Sequence, residues 1–379
     1  MKVLHVIPSL DLRNGGPIRV VVELCLAGEK WGIESEIVAV GCPAPTDESF
    51  AQISAHSFPL SLDSGYGFSL GLTGWLRRNI KRFDCAILHG MWSFPTLTAA
   101  RACQSAGVPY GIFPHGMLEP WSIFEQGPAS RLRKTFYWYL FEKKVFSGAK
   151  TVLFTTERER YEATKVFGFS RPSRIACPFG IRDAGQSSSS GGIEGFGALE
   201  ERKYVLFLGR LHPGKNIPLL LQAWAEANLP ADWKIVVAGP SSRTYKRELE
   251  SLSNRLGISE RCIFIDFVTG KAKELLFRNA AWFALPSKHE NFGIAMFEAV
   301  AYGCPVVVSD QVYASEFLDP LSRILPLELD HWVDFFRTRM QDADYRGIVI
   351  ASDTEKLKEF TQDKLGEKWA LTLHHAFLS

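Results

Sequence analysis

The chain has no Cys-x-x-Cys pair, no G-x-G-x-x-G after its first apolar run, and no apolar stretch near the length of a membrane span. Its seven cysteines (Cys25, Cys42, Cys85, Cys103, Cys177, Cys262, Cys304) are scattered and odd in number. That argues against a zinc ribbon or a disulfide framework and for reduced thiols in a cytosol. The ~18 consecutive apolar residues needed to cross a bilayer occur nowhere. The N-terminal MKVLHVIPSL ends its short apolar run at Pro8, so it reads as a buried first strand and not as a secretory leader. The missing glycine fingerprint counts against a dinucleotide cofactor. Charge of one sign is also lacking: 43 Lys and Arg stand against 41 Asp and Glu, a formal charge of +2. Nucleic acid is therefore not an expected partner.

What is present suits a soluble globular protein. The 379 residues are 46% apolar and 22% charged, ordinary in composition and long for one core, so two domains are expected. Strand-length apolar runs at 3–7, 36–40, 84–89, 109–113 and 151–155 alternate with helix-spaced segments. This is the rhythm of a parallel, doubly wound sheet. Pro17 opens one helix, with Val20, Leu24, Ala27 and Trp31 at helical spacing, and the segment from there to about Gly74, after the 36–40 strand, reads as a Pro-, Ser- and Gly-rich loop.

Residues 185–197 hold nine Gly or Ser in thirteen, too little apolar area to order themselves, and mark a flexible linker over 183–202. The linker divides an N-terminal domain, 1–182, from a C-terminal domain, 203–355, in which the strand–helix rhythm restarts. A polar helical tail, 356–379, is expected to pack back on the first domain. Residues 128–150 differ from the rest: Arg131, Arg133, Lys134, Lys143, Lys144 and Lys150 bracket an aromatic run at 136–141. Because the aromatics are consecutive, the helix is expected to pack them on the sheet and solvate its charges. The competing reading is a basic amphipathic helix lying on an anionic membrane.

The chemistry concentrates in residues 284–310, ALPSKHENFGIAMFEAVAYGCPVVVSD. A strand passes through a polar loop with Glu290 into a short helix that begins near Gly293 and carries Glu298. Such a loop, at the carboxyl end of a parallel strand, is where open α/β sheets bind phosphorylated ligands. Arg210 and Lys215, in GRLHPGKN, sit at another strand–helix junction as two cations placed to neutralise a diphosphate. The same segment misses the phosphate-loop pattern by one position, Asn216 standing where a magnesium-holding hydroxyl belongs. With the strand ending at Asp266, it leaves an ATPase as a competing reading. Gly15 and Gly16 allow backbone approach to a ligand after the first strand. His115, in FPHGM, is a candidate polar group at the carboxyl edge of the first sheet, although a lone histidine, like His89, or a lone Glu119 is more often structural.

Taken together these residues resemble the retaining glycosyltransferases of the GT-B type, in the large family numbered 4. Glu290 and Glu298 match the family's E-x7-E motif, and Arg210 with Lys215 its cations on the donor diphosphate. Gly15 and Gly16 match its N-terminal glycine pair, and FPHGMLEPW resembles the loop with its active-site histidine, here His115. The resemblance covers nearly the whole chain. It implies an α/β fold of two Rossmann-like doubly wound domains facing each other across a cleft, the first for the acceptor and the second for the nucleotide-sugar donor. It also implies retaining transfer from a UDP- or GDP-sugar, with no metal and no other cofactor. Catalytic roles fall to His115 and Glu290, with Glu298 on the ribose. The backbone of Asn291, Phe292, Gly293 and Ile294 would lie near sugar and diphosphate, and the base near Phe267 and Val268. The acceptor would be a glycan or a lipid-linked molecule of cell-surface or exopolysaccharide synthesis, met in the cytoplasm or at its membrane face. A nucleotide-sugar epimerase and a non-catalytic nucleotide-sugar binding protein share the architecture and compete with this reading. One departure concerns the donor pocket: after Asp310 the family carries a glycine-rich segment before a glutamate. This chain reads QVYASEF, so Glu316 aligns without the glycines.

Overall fold

The computed structural model describes residues 1–14, 16–42, 50, 52–62, 65–124, 127–168, 170–176, 180, 203–318, 323–340 and 342–378. The linker expected over 183–202 and Gly15 lie outside them. The chain divides into two compact units, residues 1–180 with 362–379, and residues 181–361.

The first unit is built on β1 (Lys2–Val6), β2 (Glu34–Val40), β3 (Ser54–Phe58), β4 (Cys85–His89), β5 (Tyr110–Phe113), β6 (Thr151–Phe154) and β7 (Ser173–Ile175). They form one sheet in the order β3-β2-β1-β4-β5-β6-β7, with every pair parallel. The second unit has β8 (Tyr204–Leu208), β9 (Lys234–Ala238), β10 (Cys262–Ile265), β11 (Trp282–Leu285), β12 (Val306–Ser309) and β13 (Arg323–Leu325). Its sheet, also parallel, runs β10-β9-β8-β11-β12-β13. Each sheet starts at a central strand, grows outward in one direction, then reverses. This is doubly wound topology, with reversal points between β1 and β4 and between β8 and β11.

Parallel strands need crossover connections, and the crossover helices cover both sheet faces. Central strands are therefore mostly apolar and buried; β4, CAILH, is buried at every residue. On one face of the first sheet Leu4, Val6, Val38, Ala86, Leu88 and Ile112 pack with Leu72, Leu76, Leu97 and Ala100 from the helices Leu70–Asn79 and Phe94–Ala106. Ile37 and Ala39 point the other way, against Ile18, Val21, Val22 and Cys25 of the helix Gly16–Glu29. His5, between Leu4 and Val6, points the same way as Ile37, because successive strand side chains alternate.

The tail read as one helix over 356–379 is four pieces, the last a π-helical turn His374–Leu378 in the first unit. The helix Ala343–Leu357 and a 3-10 turn, Lys358–Phe360, belong to the second unit, and the helix Gln362–Leu373 belongs to the first. The helix Gln362–Leu373 lies along Gly16–Glu29 and buries Leu365, Trp369 and Leu373. At the closest approach stands Gly366, where a Cβ would overlap the Ala27 carbonyl oxygen and the Trp31 ring.

Two further expectations need correcting. The supposed loop up to Gly74 contains β3 and the start of the helix Leu70–Asn79. Strand β3, SAHSF, is a half-exposed sheet edge without apolar alternation, and the helix buries only Leu72 and Leu76, so neither carries a strong hydrophobic pattern. Residues 128–150 form the helix Pro128–Tyr137, which buries no side chain, a π-helical turn Trp138–Glu142, and the helix Lys143–Gly148. Trp138 is buried and stacks on Phe167, ring centroids 4.6 Å apart. Leu132, Phe136, Tyr139 and Leu140 are exposed by 73, 65, 64 and 52%. Consecutive residues point in different directions around a helix, so the aromatic run cannot all face the sheet. Among the described residues no helix is long and apolar enough to cross a membrane.

Gly366→Ala is expected to lower stability by ~3 kcal/mol, the scale of overpacking against fixed backbone. Gly347→Ala, on the exposed side of Ala343–Leu357 with nothing within 4 Å of its Cβ, should instead gain ~0.5–1 kcal/mol from helix propensity. Urea unfolding of the two variants should move the midpoint in opposite directions.

Candidate functional site

In an open α/β sheet the loops at the carboxyl ends of the strands diverge where the order reverses, leaving a crevice for ligands. In the second unit those strands are β8 and β11. The loop after β8 carries Arg210 and Lys215, and the loop after β11 carries Glu290, so the topology joins residues far apart in sequence. The Lys288 N–H donates to the Gly214 carbonyl at 2.8 Å, tying the loops together, and Lys215 Nζ pairs with the Glu290 carboxylate. Glu290 is fixed through its backbone: its N–H donates to the Gln311 carbonyl at 3.1 Å, and its carbonyl accepts from the Tyr313 N–H at 2.9 Å.

Gly293 closes this loop with a φ of 72°. A Cβ there would meet Glu290 Cγ at 3.3 Å and Leu285 and Val312 at 3.4 Å, so a left-handed turn in a crowded place needs glycine. Gly293 is also the N-cap of the helix Ile294–Ala301 and supplies no side-chain cap. The Met296 N–H donates to the Gly293 carbonyl at 2.8 Å, but no side-chain oxygen caps the positive end of the helix dipole. Asn291 and Ile294 are partly exposed. Phe292 is buried and stacks on Phe297 at 4.7 Å, so only its backbone can serve a ligand.

Arg210 is exposed at the end of β8. Between it and Lys215, His212 accepts the Gly214 N–H at Nδ1, 3.2 Å. Burial, with Arg210 and Lys215 close by, holds this imidazole below its ordinary range, so it adds no third cation at neutral pH. Glu298 pairs with Lys273 of the helix Gly270–Asn279, a lysine only 7% exposed. Sequence reading passed over Lys273, because GKAKELL looks like a run of solvated charges. Only the packing of its helix beside Ile294–Ala301 turns it inward. Phe267 and Val268 lead into the same helix from the edge strand β10, so Lys273 links their end of the sheet to Glu298. Asp266 is 84% exposed at its side chain and pairs with Lys246 at 2.8 Å. Strand β9 separates it from β8 by about 10 Å of sheet in all. With Pro213–Lys215 a 3-10 turn whose Gly214 amide is already bonded to His212, the metal-holding pair of an ATPase is not assembled.

In the first unit His115 follows β5 in the left-handed region, φ 52°, sparsely populated outside glycine and frequent at functional sites. The turn is held from below by Glu159, which accepts the Gly116 N–H at 2.7 Å on one oxygen. Its other oxygen takes the Thr155 N–H at 2.7 Å and the Thr155 hydroxyl at 2.8 Å. The His115 ring stacks on Phe113, with centroids 4.3 Å apart. Its Nε2 lies 2.9 Å from His89 Nδ1, and His89 Nε2 lies 2.9 Å from His5 Nδ1. Burial pushes His5 and His115 down to about 3, and His89 well below its ordinary range. All three rings are neutral at physiological pH. Among the described residues no three His, Cys, Asp or Glu side chains converge as metal donors; the histidines stand in a line. His5 and His89 each appear in the sequence as a single histidine in an apolar strand. The register of His5 opposite Ile87 and His89 opposite Phe113 is the signal that joins them. Gly16 is the exposed first residue of Gly16–Glu29.

Two family models match the chain, one described as Glycosyltransferase Family 4 over residues 14–178 and one as Glycosyl transferases group 1 over 193–321. A D-inositol 3-phosphate glycosyltransferase of Mycolicibacterium smegmatis is 31% identical over 180 residues, 44% of this chain and 39% of that protein. The N-acetylgalactosamine-N,N'-diacetylbacillosaminyl-diphospho-undecaprenol 4-alpha-N-acetylgalactosaminyltransferase of Campylobacter jejuni is 33% identical over 163 residues, 43% of this chain and 40% of that protein. The chain thus matches about two fifths of the length of either relative. Among solved structures, Anabaena HepE in complex with UDP and glucose superposes with a TM-score of 0.79 at 18% identity, covering 99% of this chain and 100% of that one. This likeness places the fold in the two-domain GT-B class.

Lys273→Met removes the cation facing Glu298 and is expected to cost ~1–3 kcal/mol at pH 7. Glu298→Gln on that background should recover part of the loss, because the partly buried charge is then gone as well. Urea unfolding of the single and double variants measures both.

Proposed function

The chain belongs to the glycosyl transferases of group 1, and we propose that it moves a sugar, with retention at the anomeric carbon, from a UDP- or GDP-sugar to a glycan or lipid-linked acceptor in cell-surface or exopolysaccharide synthesis. The observation that carries this reading is the meeting of Lys215, Glu290 and a helix N-terminus without a side-chain cap at the β8–β11 reversal point. Breaking a glycosyl–phosphate bond sends its electron pair to the diphosphate. Arg210, Lys215 and the backbone amides of 291–294 meet that charge without a divalent cation. Lys215 is neutralised by Glu290 in this structure; an arriving diphosphate competes for the lysine and frees Glu290 to contact the sugar. Glu298, steadied by Lys273, accepts from the ribose hydroxyls, and Phe267 and Val268 border the base. Gly15 and Gly16 let the backbone approach the donor. His115 gives the sugar a neutral hydrogen-bonding group, and the acceptor attacks from the face the diphosphate leaves.

The relatives support the choice of substrates. The C. jejuni enzyme is named for a diphospho-undecaprenol acceptor and HepE was crystallised with UDP and with UDP-glucose. Exposed Leu132, Phe136, Tyr139 and Leu140, flanked by exposed Arg131, Arg133, Lys143 and Lys144, suit contact with an anionic membrane surface, where a lipid-linked acceptor would be met.

UDP or GDP should raise the melting temperature with or without magnesium, and stabilisation by ATP alone, only with magnesium, would refute the reading. Lys215→Ala and Glu298→Ala should each weaken nucleotide binding about 10-fold, as expected for loss of a charged hydrogen bond, with circular dichroism unchanged. In flotation with phosphatidylglycerol vesicles the protein should rise with the lipid. Leu132→Ser with Phe136→Ser should leave it in the bottom fraction; unaltered flotation would rule this face out.

A further inference from the structure

The line of imidazoles has a blind end. His5 and His89 are both 0% exposed, and His5 Nε2, the nitrogen facing away from His89, has no hydrogen-bond partner among the described residues. Beside the His5 ring, with centroids 6.2 Å apart, lies Trp369 of the helix Gln362–Leu373, whose buried indole Nε1 also has none among the described residues. At the other end His115 offers its Nε2 to His89 and keeps its Nδ1 out of the line. Three neutral rings bonded in series have only two consistent proton arrangements, since each neutral ring donates through one nitrogen and accepts through the other. In one, every proton is on Nε2, and His5 then presents a buried N–H beside another buried N–H, that of Trp369. In the other, every proton is on Nδ1, and His5 presents a bare nitrogen beside an indole that can only donate. Two buried donors without an acceptor are the worse arrangement.

We propose that His5 and His89 are positioning residues for His115: the line that begins at the Trp369 indole orders it as the Nδ1–H tautomer, so that its free nitrogen is a hydrogen-bond donor. The role toward a sugar rests on the transferase reading above; the tautomer itself does not. Hydrogen bonds in series polarise one another, and the two inner rings also prevent the His115 ring from turning over. An imidazole orienter of this kind plays the part that a carboxylate plays beside many catalytic histidines. It adds no negative charge, so the ring it orders stays neutral.

The experiment is long-range proton–nitrogen NMR on histidine-labelled full-length protein at pH 7, with kinetics on the same samples. Wild type should show three neutral rings with the His115 proton on Nδ1. Trp369→Phe, which keeps an aromatic ring in place, should mix the two tautomers. His89→Leu should return His115 to the Nε2–H form that dominates free imidazole. With a UDP- or GDP-sugar that the wild type turns over, His89→Leu should lower kcat about 10-fold to 100-fold and leave the donor KM within about twofold. His5→Gln, which can accept and donate in series, should recover most of the turnover lost in His5→Leu. A wild-type His115 protonated on Nε2, or charged at pH 7, overturns the proposal whether or not any variant folds. So does His89→Leu with full kcat. Absence of transfer by the wild type, with the tautomer as stated, overturns the transferase reading and leaves the ordered line standing.

Discussion

Every strand of both sheets runs parallel to its neighbours, and much of the site follows from that constraint. Parallel strands place all their carboxyl ends on one edge, and the crossover helices occupy both faces, so this edge is where loops can gather chemistry. Lys215 and Glu290 meet because β8 and β11 are sheet neighbours although 75 residues separate them. The same constraint brings His5, His89 and His115 into line. Parallel register places His5 opposite Ile87 and His89 opposite Phe113, so each histidine is two residues further toward the carboxyl edge than the last, on one face. A slip of one residue in any strand would send a ring to the opposite face.

The two units meet charge in opposite ways. In the second unit the two carboxylates each have a lysine, Glu290 with Lys215 and Glu298 with Lys273. The cations and the helix dipole are thereby kept from repelling one another without nucleotide. The pairs are exchangeable, because a diphosphate offers Lys215 more negative charge than one carboxylate does. In the first unit the candidate group is kept uncharged by burial. For the proposed transfer that division is sensible: negative charge develops on the leaving group and positive character on the sugar, and a cationic histidine beside the sugar would oppose the second.

The doubly wound plan was readable because central strands buried on both faces are continuous apolar runs, as in CAILH or WFAL. Strand β3 was not, since an edge strand with one half-exposed face has little hydrophobic pattern. The aromatic run at 136–141 misled for a related reason: composition shows how many rings there are, but direction depends on the helix phase, which the π-helical turn shifts. At the candidate site, motif spacing pointed to Glu290, Glu298, Arg210 and Lys215. Lys273, His5 and His89 left no local trace. Their surroundings are made by strand register and helix packing between segments distant in sequence, and one of two lysines in KAKE or a histidine in VLHVI looks like many others.

The helix Gln362–Leu373 supplies Leu365, Trp369 and Leu373 to the core of the unit that begins at Met1. During synthesis, then, the first domain to emerge from the ribosome is the last that can be completed. The second unit has its whole sheet and its own helices before residue 362 is made, while the side of the first sheet bearing His5, already packed by Gly16–Glu29, still lacks Leu365, Trp369 and Leu373. Domains usually mature in the order they are made; here the order is inverted. A chain truncated before Gly366 would leave Trp369 and Leu373 out of the first domain's core and keep the second domain intact.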